Sequence, residues 1–297
     1  MKVLFVCPYY NNSHFIPIQI RSFEKYLKGC DWKILVVDDS KPDTMNLLTN
    51  ELENVEEECK KYADKVIYHK YPLKHAIDTG LERHRAVLTY IFNYVPLEYK
   101  DEFDYLASFD ADMCFIKEFD AHKELEGYDI IGPKRIQSLG NNQLDPKFAV
   151  FTYFFVHCCF FRLQMENLHT MLMGAIPNTT TDTGAMMIKY MRKYPNLRLK
   201  YYEFSSGAEG LPAVNGFEFL NRNVFFHFKC GSRWVKMHRA YSYKEDIDIY
   251  KQFIENGLTP EDEERIEEER IKKFYSKYIR FLEPRKATEE DYKKFGL

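Results

Sequence analysis

Four short apolar runs divide the first 116 residues, and the intervals between them suit helices. Lys2-Val-Leu-Phe-Val-Cys7 and Lys33-Ile-Leu-Val-Val37 read as buried strands. Val66-Ile-Tyr68 reads as a short third strand, and the run from Asp104 through Phe109 as a fourth. Between them, Phe15–Leu27 has helical apolar spacing through Ile16, Ile20, Phe23 and Leu27, and Gly29 closes it. Residues 43–63 read as a polar, acid-rich helix. Thr79–Tyr94 reads as another, with Leu81, Leu88, Ile91 and Phe92 turned inward and Arg83, His84 and Arg85 near its start. Such alternation predicts an α/β fold, a mixed, mostly parallel sheet flanked by helices. Ligands of these sheets bind outside the carboxyl ends of the strands. The first, second and fourth strands end at Pro8-Tyr9-Tyr10, Asp38-Asp39-Ser40 and Asp110-Ala111-Asp112, so these ends are expected to converge on one crevice.

The fourth of these ends carries the sharpest chemistry. If strand geometry persisted past Phe109, Asp110 and Asp112 would point to the same side, because side chains alternate with period two. Two like charges so close each resist ionising unless a cation sits between them. A hard divalent ion with oxygen ligands, Mn2+ or Mg2+, suits that position and leaves room for phosphate oxygens. The plainer account is a solvated turn, where Asp is common.

Composition narrows the class. The net charge is −3 and the pI about 6.3, so no global basic field exists to attract nucleic acid, and no stable nucleic-acid partner is expected. The seven cysteines are scattered without a CxxC spacing, which fits reduced thiols better than a disulfide framework or a zinc site. The apolar run at Val3–Val6 is too short for a signal-peptide core, and no stretch of about 18 apolar residues spans a bilayer. A cytoplasmic protein without a transmembrane segment is therefore expected. Walker A, GxGxxG and nucleophile-elbow patterns are absent from the sequence.

The second half is less regular. Tyr128–Gly132 reads as strand and turn, and Phe148–Phe161 as one bent strand or a hairpin, with His157 a core residue among aromatics. In Asn178-Thr-Thr-Thr-Asp182, the Thr residues and the Asp are good caps for a helix over Ala185–Met191. Val224-Phe-Phe-His227-Phe-Lys-Cys-Gly231-Ser-Arg233-Trp234 brings a His out of an apolar strand, then a Gly and a cation two residues on. Beyond Tyr243, alternating acid and base clusters predict a helical appendage with a solvated face. The expected organisation is a catalytic domain over 1–243 and a C-terminal helical extension over 244–297 packed on it.

Val36-Val-Asp-Asp-Ser40 resembles the second-strand signature of GT-A-fold glycosyltransferases, and Asp110-Ala111-Asp112 resembles their DxD motif. The resemblance covers roughly residues 1–235, in the family's order. It implies a Rossmann-like GT-A domain in which Pro8, Tyr9, Tyr10 and either Asp39 or Asp38 hold the nucleotide. Arg83 and Ala111 are expected to bind the nucleotide as well. Asp110 and Asp112 would hold Mn2+ or Mg2+ on the diphosphate of a sugar nucleotide, and Asp182 falls where the family places an acceptor-site carboxylate. The His227 segment is similar to the His-Phe-x-Gly-x-x-Lys-Pro-Trp segment of glycogenin-like enzymes, with one residue more before Gly231 and no Pro before Trp234. By that likeness His227 is a further metal ligand. Gly231 would admit phosphate to the backbone, and Lys229 and Arg233 would neutralise the leaving diphosphate.

The expectation is thus a metal-dependent glycosyltransferase that moves a sugar from a nucleoside-diphosphate donor, UDP by family frequency, to a hydroxyl acceptor such as a glycan. The second-strand likeness points to inversion at the anomeric carbon and the His-Gly likeness to retention. Inversion is the expectation taken, with Asp182 as the base. Three rivals stand beside it: a sugar nucleotidyltransferase, a transferase acting on hydroxymethylated DNA bases, and a non-enzymatic carbohydrate-binding protein.

Overall fold

The computed structural model describes residues 1–10, 13–40, 54–72, 80–138, 150–176, 181–202, 204–206, 217–220, 224–228, 287–294 and 296–297, with isolated positions between 256 and 264. The first stretches form β1 (Lys2–Tyr9), α1 (Phe15–Tyr26), β2 (Leu27–Lys28), β3 (Asp31–Asp38), α2 (Val55–Lys60) and β4 (Val66–Lys70). Then come α3 (Gly80–Tyr99), β5 (Tyr105–Phe109), β6 (Met113–Phe115), β7 (Phe119–Asp120), α4 (Ala121–Leu125) and β8 (Ile130–Ser138). The remainder gives β9 (Val150–Phe154), β10 (Cys158–Arg162), α5 (Met187–Lys193), β11 (Leu199–Tyr202), β12 (Phe204–Ser206), β13 (Phe217–Leu220), β14 (Phe225–Phe228) and α6 (Glu289–Lys294). The architecture is α/β, with a mostly parallel mixed sheet flanked by helices.

Two compact units divide the chain, and they interleave in sequence. The first comprises Met1–Lys74, Ala107–Glu126 and Glu203–Arg270; the second comprises His75–Leu106, Gly127–Tyr202 and Ile271–Leu297. The boundary expected at 243/244 falls outside the described residues, as do most positions of the expected appendage.

In the first unit β1 pairs with β3, and β3 with β4, all parallel, with Tyr9 opposite Asp38 and Asp38 opposite Lys70. Continuous burial of Val3 to Cys7 and Ile34 to Val37 explains why these runs are apolar without alternation. Phe5, Phe23, Phe109, Phe115, Phe119 and Phe225 form one aromatic cluster, with centroid separations of 4.6 Å for Phe5–Phe23 and 5.0 Å for Phe115–Phe225. A separate antiparallel sheet runs β12-β13-β14-β6.

In the second unit β11 pairs with β8 in parallel, while β9 and β10 both run antiparallel to β8. Their registers, Phe154 opposite Lys134 and Phe160 opposite Ile131, make the aromatic segment one strand broken at Phe155–His157, not a hairpin. The helix predicted over Thr79–Tyr94 runs on through Pro96 to Tyr99 and packs Phe92 edge-on against Phe161. Asp129, nearly buried, accepts from Arg162 at 2.6 Å and from the Arg198 backbone at 2.8 Å. Burial opposes its charge, but the hydrogen bonds from Arg198 and the nearby guanidinium charges outweigh that and hold its pKa below the ordinary carboxylate value. At α6, the Tyr292 ring packs on Phe151 and under the Arg192 guanidinium.

Candidate metal centre

Strand geometry does not persist past Phe109. Met113 N donates to Asp110 O at 3.1 Å and closes a tight turn, after which β6 enters the second sheet of the unit. There β6 pairs antiparallel with β14, placing His227 opposite Met113. The two carboxylates therefore meet by a turn and not by the period of a strand, and the pairing of β6 delivers the imidazole to them. His227 Nε2 lies 3.4 Å from Asp112 Oδ1 and 3.6 Å from Asp110 Oδ2. One potential ligand atom from each of Asp110, Asp112 and His227 lies within 4.8 Å of the others. Asp112 and His227 are buried and Asp110 is the more open of the three.

This donor set fits a hard to borderline divalent ion. Both separations exceed the roughly 2.7–2.9 Å of a charge-assisted hydrogen bond. An octahedral ion with ligands at about 2.1 Å puts them roughly 3.0 Å apart in cis and roughly 4.2 Å in trans, a range that brackets both observed values. Two carboxylate oxygens and one imidazole nitrogen suit Mn2+, with Mg2+ accepting the same oxygens.

Residues beneath the turn hold it in place. Gln19, on the buried face of α1, donates from Nε2 to Asp110 O at 2.8 Å and to Met113 O at 3.0 Å, and its Oε1 accepts from the Tyr9 hydroxyl at 2.8 Å. One turn of α1 further on, Ser22 Oγ donates to Phe115 O at 2.8 Å and accepts from Phe115 N at 2.7 Å. Together with the register of Tyr9 and Asp38, these bonds join the ends of β1, β3 and β5 in one place. Burial, reinforced by the Asp110 charge, raises the Cys7 thiol well above its usual range and keeps it neutral.

Of the residues expected at the nucleotide, Tyr9 is 1% exposed with its hydroxyl engaged by Gln19, so its ring supports the turn and offers no surface to a ligand. Pro8, Tyr10 and Asp39 are half-buried, and Asp39 N donates to Tyr9 O at 2.8 Å. Ala111 is buried between the two carboxylates. Asp38 is also buried; Oδ1 accepts from Ser40 N at 2.8 Å, and Oδ2 from Tyr68 at 2.9 Å and Lys70 at 2.8 Å. Burial would raise its pKa, but Lys70 and the Ser40 contacts prevail and lower it. The Asp38 carboxylate is thus committed within the fold. Gln19, Tyr68 and Lys70 were not among the residues expected from sequence.

The other expected residues belong to the second unit or fall outside the described residues. Arg83 is buried in α3 of the second unit. Asp182, in the same unit, accepts from Thr183 N at 2.8 Å through Oδ1 and lies 3.5 Å from Arg135 through Oδ2. The helix it was expected to cap begins later, at Met187, with Met186 in the cap position. His157 is half-buried, edge-on to Phe155 at 4.0 Å and stacked with His84 at 5.7 Å. Lys229, Gly231 and Arg233 lie outside the described residues. Among the described residues no helix is long and apolar enough to cross a membrane.

A scan against protein-family models finds no match to this sequence, and a search of curated proteins finds none either.

Proposed function

We propose that this protein is a metal-dependent glycosyltransferase of the GT-A type, taking a nucleoside-diphosphate sugar as donor and a hydroxyl group, such as that of a glycan, as acceptor. The observation that carries the reading is the meeting of Asp110, Asp112 and His227 at a strand end of the mostly parallel sheet. One acidic turn and a histidine more than a hundred residues further along supply a donor set suited to a diphosphate-bound divalent ion. Asp110 is the most open of them and would stand nearest the phosphates, while Asp112 and His227 are buried. A divalent ion held by Asp110, Asp112 and His227 would supply Lewis-acid charge to a departing diphosphate. By the sequence likeness, Lys229 and Arg233 would add positive charge where negative charge develops, and Gly231 would admit the phosphate to the backbone. Asp39 takes the nucleoside side of the donor, and inversion would need a base, the role assigned to Asp182.

Isothermal titration of UDP and of GDP, each with and without Mn2+, tests this reading on wild type and Asp112→Ala. Metal-dependent binding of one nucleotide, lost in the variant, is the expected result. A folded wild type that binds neither nucleotide but binds free glycans without metal would replace the transferase with a carbohydrate-binding protein.

A further inference from the structure

We infer that Gln19 is the positioning residue of the metal centre: held in one orientation by the Tyr9 hydroxyl, its amide fixes the Asp110–Asp112 turn and thereby sets the affinity for a divalent ion. The inference rests on the reading of that site as a metal centre. It adds a residue that neither coordinates the ion nor touches a substrate.

Gln19 is fully buried, on the same stripe of α1 as Ile16, Ile20 and Phe23. Packing alone would be met there by Leu or Met, and burying an amide is costly unless its hydrogen bonds are made. Here both N–H donors and the carbonyl oxygen have partners. The donors end on the carbonyls of Asp110, in the turn, and Met113, the first residue of β6, one on each side of Ala111–Asp112. Asp110 O also receives Met113 N, so that carbonyl is held from two directions. Rotating the amide by half a turn would set Oε1 against two carbonyl oxygens and the amide nitrogen against the Tyr9 hydroxyl. Tyr9 remains a donor because burial raises the pKa of its hydroxyl well above the ordinary value. The Ser22 pair fixes the next residues, so α1 grips the backbone on both sides of β6 entry. Two carboxylates that repel each other spring apart when the backbone beneath them is free, and a fixed turn removes that freedom before the ion arrives.

The test is calorimetric titration of Mn2+ into wild type, Gln19→Met, Tyr9→Phe and Asp112→Ala, with the EPR line shape of the saturated Mn2+ complexes and the metal-free melting temperature recorded for each. Gln19→Met is expected to weaken Mn2+ binding by about 10- to 100-fold, the range for loss of a partner that orients a ligand. Tyr9→Phe keeps the ring and removes one hydrogen bond, so a loss on the order of 2- to 10-fold is expected. The EPR line shape should change in Gln19→Met even at saturation, which a fall in stability alone does not produce. If Gln19→Met does not fold, Tyr9→Phe decides. Wild-type affinity and an unchanged spectrum in the variants that fold, even with lowered melting temperatures, would overturn the positioning role. Mn2+ binding by wild type no tighter than by Asp112→Ala would overturn the metal reading and the inference together.

Discussion

His227 Nε2 stands 3.4 Å from Asp112 Oδ1 because β14 pairs with β6 in a register that sets His227 opposite Met113. The imidazole thus reaches the acidic turn through a sheet contact, and its position depends on the backbone pairing as much as on its own rotamer.

That closeness makes stability depend on metal with a definite sign. Asp110 and Asp112 repel in the metal-free protein, so Asp112→Asn in EDTA should melt at or above the wild-type temperature. With Mn2+ at a hundred times its dissociation constant, wild type should gain about 2.7 kcal/mol and the variant much less. Differential scanning calorimetry in EDTA and in Mn2+ would show the two melting curves exchange order.

Asp38 is a buried carboxylate whose charge is supported by Lys70. Lys70→Met should cost about 1–2 kcal/mol at pH 7, a modest figure because the Lys70 side chain is itself half exposed. The folded-state pKa of Asp38 is lowered, so its stabilising contribution is complete above the unfolded value near 3.9 and fades as pH falls through the folded one. Urea titrations at pH 7 and pH 3 should find a smaller difference between wild type and variant at the lower pH.

Asp129 of the second unit follows the same linkage with two cations, Arg162 and Arg198. Replacing it by Asn leaves both guanidinium groups facing a neutral amide and should destabilise the protein by about 2 kcal/mol at pH 7. The lowered pKa places the loss of this contribution below about pH 4, as Asp129 is protonated. A difference between wild type and Asp129→Asn that grew on acidification would contradict the assignment.

Gly184, two residues past Asp182, has φ of +96°, and a Cβ there would collide with the Val156 side chain and stand 3.1 Å from Phe154 O. Gly184→Ala should cost roughly 2 kcal/mol or more, through backbone strain and crowding together. Chemical denaturation would measure it, and a neutral result would mean that the segment around Asp182 yields readily.

The sequence made the parallel strands legible because Val3–Cys7 and Ile34–Val37 are buried on both faces and therefore read as unbroken apolar runs. Asp110, Asp112 and His227 stood out because charge and imidazole interrupt such runs. The turn that brings the carboxylates together was not legible, since a period-two strand and a tight turn fit the same three residues. Tyr68 and Lys70 could be linked to Asp38 only through the register of β3 on β4, which local pattern does not set. Gln19 did leave a signal: it falls on the apolar stripe between Ile16 and Ile20, where a polar residue needs buried partners. The continuation of α3 through Pro96 departs from the usual effect of Pro on a helix, and nothing in its local sequence announced it.

Pulsed EPR of Mn2+ bound to wild type and to His227→Ala tests the central claim most directly. The account predicts a nitrogen-14 coupling from a directly bound imidazole in wild type, absent from the variant. Tight Mn2+ binding without that coupling, or a coupling that survives His227→Ala, would contradict the assignment of Asp110, Asp112 and His227 to one metal centre.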